Sequence, residues 1–240
     1  MIKHNTHLES DDWDIIIEPN RSEKNYFLDI KRFKELFYIL TWRDIKVKYR
    51  QTYLGLLWLV LRPLLSSIIF TFIFSRIAHF KSYEDYPYFI MVLTGMLPWQ
   101  FFSSSINDAS SSLIGNTSLI TKVYFPRMII PASSILTCFV DFLISLILLL
   151  LIMLFFGFYP VANFVFLPFF ICLLLVFSMG FSLLLTSFNV KYRDFRYIIP
   201  FLLQFGLYIS PVGFNSNAID AKWQFLFSIN PMSGLSLIHI

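Results

Sequence analysis

FLISLILLLLIMLFFGFYPVANFVFLPFFICLLLVFSMGFSLLLTSFNV, residues 142–190, runs 49 positions without an Asp, Glu, Lys or Arg. The hydrocarbon core of a bilayer takes about 20 apolar residues per helical span, so this stretch alone crosses twice. The rest of the 240-residue chain follows the same pattern: 57% of residues are hydrophobic and 14% charged, where a soluble domain carries about 25% charge. Residues 1–50 hold 19 of the 34 charged side chains, and 15 serve the other 190 positions. The chain reads as an all-α polytopic membrane protein.

Several function classes close at once. The polar first fifty residues contain no short apolar run near Met1 of the kind a cleavable signal needs. Cys138 and Cys172 lie in apolar runs, and His4, His7, His79 and His239 are scattered, so no disulfide framework or metal site is expected. No GxxxxGK[ST] string occurs to cradle a nucleotide. The net charge of +4 sits largely beside apolar spans, which favours a membrane surface over nucleic acid.

Residues 1–30 read as a polar cytoplasmic tail, and 31–240 as a single transmembrane domain. Over 33–50, Phe33, Leu36, Phe37, Leu40 and Val47 recur at helical period. Tyr38, Trp42, Ile45 and Tyr49 form a second apolar set, and Asp44 interrupts the first. A helix lying in the interface and touching both lipid and protein satisfies that pattern. Spans follow at about 54–77, 86–105, 128–156, 163–188 and 197–214. Arg62 and Pro63 fall in the inner part of the first. With the N-terminus inside, fifteen Lys and Arg lie on the cytoplasmic side and Arg76, Lys81 and Lys222 outside, which sets the orientation.

Two segments depart from plain spanning helices. Residues 103–121 are rich in Ser, Thr and Asn, yet carry the pairs Leu113/Ile114 and Leu119/Ile120. A short helix on the cytoplasmic surface, within a segment 106–127, is the economical reading. The fifth span meets Ser210-Pro211-Val212-Gly213 early, and 214–234 follows with Trp223, Phe227 and Pro231. Interrupted spans of this sort border protein-lined cavities, so a re-entrant outer segment is expected.

Four strings carry a resemblance: TWRDIKVKYRQTYLGLLWLVLRPL (41–64), LITKVYFPRMIIP (119–131), NVKYRDFRYIIPFLLQFGLYISPV (189–212) and SINPM (228–232). In this order and spacing they resemble the type-2 ABC transporter permeases that export polysaccharides and polyol phosphates, including O-antigen, capsule and teichoic acid. The resemblance implies a half-transporter of six helices, five of them here, as in a member cut short before its last helix. It also implies a homodimer in the bacterial inner membrane, moving a polysaccharide or lipid-linked glycan. A cognate ATPase subunit would bind ATP and Mg, leaving this chain with no cofactor and no enzymatic activity. A permease for small hydrophobic molecules and an integral-membrane glycan-modifying enzyme are the competing readings. The short outer loop at 78–87 argues against the first. The lack of an acid/base or nucleophile cluster at one membrane face argues against the second.

Candidate site residues follow from both sources. An ATPase needs a rigid cytoplasmic element to push: Leu119, Ile120, Val123 and Phe125 offer apolar knobs, Lys122 and Arg127 a basic rim, and Pro126 a helix stop. The alternative is a juxtamembrane helix held by anionic headgroups. Arg193, in the inner loop 191–196, is either a second contact or a topology signal. A sugar polymer slides on aromatic faces without being gripped. The resemblance lines the path from the first and fifth spans, which selects Phe70, Phe74, Phe201, Phe205 and Tyr208; lipid-facing aromatics are the plain alternative. It also makes Trp223, Phe227 and Pro231 an outer gate, with an interfacial anchor as the competing reading. Asp141, inside an apolar span with no second acid expected at its depth, is read as a structural hydrogen bond to a Ser or Thr of a neighbouring helix.

Overall fold

The computed structural model describes residues 31–50, 56–77, 87–157 and 165–210. The polar tail, the re-entrant segment and the gate residues Trp223, Phe227 and Pro231 lie outside the described residues. Among those described, every regular element is helical: α1 (Lys34–Arg50), α2 (Leu56–Thr71, continued by a π-helical turn, Phe72–Ile77), α3 (Tyr88–Gly115), α4 (Thr117–Ile120), α5 (Ile129–Phe155), α6 (Leu167–Lys191) and α7 (Phe195–Ile209). Among the described residues, four helices are long and apolar enough to cross a membrane: Leu57–Ser75, Tyr88–Gly115, Ile129–Phe155 and Leu167–Lys191. The chain is a polytopic all-α membrane protein. The expected fifth span is represented by the 15 residues of α7; the rest of it, to 214, lies outside the described residues.

The least apolar of the four spans is the most enclosed. In α3, 78% of the most apolar stretch is buried, against 33% in α5 and 22% in α6. The physical reason is that a helix facing only other helices meets no lipid and has no need of a greasy rim. α3 packs against α2, α5, α6 and α7. Its Leu93 and Ile106 join Leu149, Leu174 and Ile199 of the last three in the main core, all at 1% exposure or less. In a bilayer this packing is stabilised by dispersion rather than by escape from water, because lipid tails are as apolar as leucine. Close approach then matters most. On α6 the buried face reads Leu174, Ser178, Ser182, Thr186 and Asn189, and α3 contributes Ser105 and Ala109, small side chains of the kind that let backbones draw together.

The second span was expected to end near Ser105, with a separate surface helix beyond it. Instead α3 runs unbroken to Gly115. Several of its hydroxyls bond their own helix: Ser104 to Gln100 O at 2.8 Å, Ser111 to Asn107 O at 3.0 Å, Ser112 to Ala109 O at 2.6 Å. A serine satisfied one turn back needs no water, so a serine-rich string continues as buried helix. α5 ends at Phe155, and Gly157 just beyond it, with φ of +78°, supplies the left-handed turn that favours glycine after a helix.

Candidate coupling surface and translocation wall

α1, α4 and the start of α5 form one unit. Leu40 of α1 is buried with Phe125, Ile129 and Ile130, and Phe33, Leu36, Phe37, Leu113, Leu119 and Ile120 pack around them. Three of the four expected knobs therefore face inward: Leu119 and Ile120 are half-buried and Phe125 is buried, all serving to hold α1. Val123 is the outward one at 50% exposure, joined by Tyr124 at 45%, a residue that sequence reasoning passed over. Lys122 and Arg127 are exposed, and Arg193 is exposed in the turn joining α6 to α7. The backbone makes the α4 turn through Leu119 N to Asn116 O (3.0 Å) and Thr121 N to Thr117 O (3.1 Å). Asn116 Oδ1 also accepts from Arg43 Nη2 at 3.1 Å, tying α1 to the end of α3. Val47, placed by periodicity with the buried stripe of α1, is 53% exposed.

Asp141 does not pair with a Ser or Thr. Lys48 Nζ lies 2.7 Å from its Oδ2, and the Tyr49 hydroxyl donates to its Oδ1. Both partners come from α1. Nor is Asp141 the only acid at this level: Asp108 Oδ2 is 4.0 Å from the same ammonium and accepts from the Cys138 thiol at 3.3 Å. Asp108 escaped notice because the string around it reads as surface; only the continuation of α3 brings it beside α5. Burial opposes the charge on Lys48, but the hydrogen bond and charge of Asp141 outweigh it and raise the pKa. Burial, and then Asp141, also raise the pKa of Tyr49. The cluster thus holds a protonated lysine and a neutral tyrosine against two carboxylates, pinning the C-terminal end of α1 where the apolar cluster pins its N-terminal half.

On the membrane wall the expected path residues divide. Phe201, Phe205 and Tyr208 are 58%, 54% and 64% exposed. Their i, i+4, i+7 spacing puts them on one face of α7, with the rings of Phe201 and Phe205 4.7 Å apart. Tyr197, one turn before Phe201 and 78% exposed, extends the stripe; the i−4 spacing was the available signal. Phe70 and Phe74 of α2 and its π-helical turn do not share that openness. They stack at 5.6 Å and pack half-buried against the main core.

A helical multi-pass protein with a helix docked against its spans, an exposed joint between spans and an open aromatic helix face has the build of a transporter's membrane part. The chain belongs to the ABC-2 type transporter family, whose pattern matches residues 35–235. Among similar proteins are the O-antigen export system permease protein RfbA of Myxococcus xanthus, 29% identical over 86% of this chain and 79% of that protein, and that of Klebsiella pneumoniae, 28% identical over 85% and 78%. The polysialic acid transport protein KpsM of Escherichia coli is 24% identical over 82% of this chain and 75% of its own length.

Proposed function

We propose that the chain is the permease subunit of an exporter that carries a polysaccharide or lipid-linked glycan across the inner membrane, driven by ATP and Mg held on a separate ATPase subunit. The α7 stripe Tyr197–Phe201–Phe205–Tyr208 is the observation that carries this reading beyond family membership. Four rings on one helix face offer apolar planes to the C–H patches of sugar rings while presenting few groups that would hold a hydroxyl in place. Two copies facing one another across such stripes would enclose a path that neither encloses alone. Relatives named for O-antigen export and polysialic acid transport support the same cargo class. The excess of Lys and Arg on the inner segments supports a cytoplasmic N-terminus. Val123 and Tyr124, rimmed by Lys122 and Arg127, are the natural place for the ATPase to press, and the packing of Phe125, Leu119 and Ile120 onto α1 carries that push to the interfacial helix.

The test is reconstitution. The chain alone in liposomes moves no glycan, and adding the cognate ATPase with ATP starts transport. Lys122→Glu with Arg127→Glu abolishes co-purification of the ATPase while leaving membrane insertion intact. Transport by the chain alone, without any nucleotide-hydrolysing companion, overturns the proposal.

A further inference from the structure

We propose that the outward face of α1 is a docking surface for anionic phospholipid headgroups, which seat this helix at a set depth and rotation. With Leu40 buried and Lys48 and Tyr49 held by Asp141, α1 cannot roll, and the face it turns away from the protein is settled. That face carries Tyr38, Ile39 and Trp42 at 67%, 60% and 48% exposure. Arg43, Lys46 and Arg50 border the same shallow groove. Lys46 Nζ stands 5.3 Å from the centre of the Trp42 ring, so cation and aromatic plane form one composite surface.

Charge decides the occupant. Of the two carboxylates on α1, Asp44 is taken by Arg43 through Nε at 2.9 Å and Nη2 at 2.7 Å. Glu35 lies at the N-terminal end beside Lys34. The C-terminal half of the face is left positive. Acyl tails alone match the rings and strand the cations, and a soluble acidic partner does the reverse; a phosphodiester headgroup on an acyl chain meets both halves. The bundle repeats the chemistry at the same end. Lys191 Nζ lies 5.2 Å from the ring centre of Tyr192, beside Arg193. Asn189 donates to Ser110 O at 2.8 Å, and Arg43 reaches Asn116, so both cation–aromatic pairs sit around the C-terminal end of α3.

The experiment reads lipid binding, not transport, so it stands apart from the export proposal. The full chain in nanodiscs is exchanged against phosphatidylglycerol or phosphatidylcholine, and retained lipid is counted by native mass spectrometry. Each basic residue near a charged surface contributes about 1 kcal/mol, or about fivefold, so Lys46 and Arg50 together retain phosphatidylglycerol about 25-fold over phosphatidylcholine. Lys46→Gln with Arg50→Gln brings the ratio near unity. The charge-keeping pair Lys46→Arg with Arg50→Lys preserves it, and high salt weakens it. Should the glutamine pair fail to fold, Trp42→Leu takes its place and lowers the ratio. An unchanged ratio in the neutral variant overturns the proposal. So does displacement of the lipid by soluble glycerol phosphate, or retention of a prenyl diphosphate glycan in its place.

Discussion

Gly206 sits where α7 packs on Trp99 of α3: a Cβ there would lie 2.5 Å from Cη2 of Trp99 and 3.1 Å from Cζ2. The indole is enclosed at 8% exposure and has little room to withdraw. Gly206→Ala therefore costs about 1–3 kcal/mol, the usual range for overfilling a packed site. It lowers the midpoint of thermal unfolding in detergent, and Trp99→Phe in the same chain recovers part of the loss. Gly180, with nothing within 4 Å of its added Cβ, is the control: Gly180→Ala is neutral or gains up to about 1 kcal/mol of helix propensity. Lys48 and Tyr49 give a pH dependence of definite sign. Both hold their protons more tightly in the folded protein than in a free chain. Their contribution to docking α1 is thus fully present below their ordinary values of 10.5 and 10.0 and is lost as pH rises above them. A spin-label distance between α1 and α5 stays constant from neutral pH up to about 10 and lengthens beyond. Asp141→Asn lengthens it at neutral pH and flattens the alkaline change.

At the scale of the element, α3 shows how a helix of middling apolarity becomes the centre of a membrane bundle. The buried serines opposite it on α6, Ser178 and Ser182, have 0% exposure, and their hydroxyls have no hydrogen-bond partner in this structure. Their worth lies in being small. Ser182→Ala is therefore tolerated or slightly stabilising. Ser182→Leu wedges α6 away from α3 and lowers thermal stability sharply, with faster protease cleavage at the α6–α7 turn. A large loss with alanine would instead assign the hydroxyl a partner and reverse this reading. The boundary of α3 was not legible because hydropathy windows average over a serine cluster without seeing that each hydroxyl can bond one turn back. The hairpin of α5 and α6 was legible, since it faces lipid widely and its apolar length says so directly.

For the whole molecule, the proposed function gives roles to two surfaces: the open face of α7, and the unit of α1, α4 and the start of α5. Phe201→Ala, Phe205→Ala and Tyr208→Ala combined lower glycan export severalfold while leaving ATPase co-purification unchanged; matching substitutions at Phe70 and Phe74 lower thermal stability as well, because those rings pack against the core. Of the aromatics that the family resemblance selected for the path, the α7 trio lies exposed on one helix face. Phe70 and Phe74 were not separable from it, since nothing local distinguishes a ring turned to the core from one turned to an open face. The same ambiguity applied to Leu119, Ile120 and Phe125, whose apolar character suits an outward knob and an inward anchor equally. Composition and the spacing of charge determined the class and the long helices of this chain, because a bilayer taxes every unpaired polar group locally, residue by residue. Only the tertiary structure decided which helix is central, which carboxylates meet Lys48 and which rings stay open, because those outcomes depend on side chains up to 93 positions apart being brought to one place.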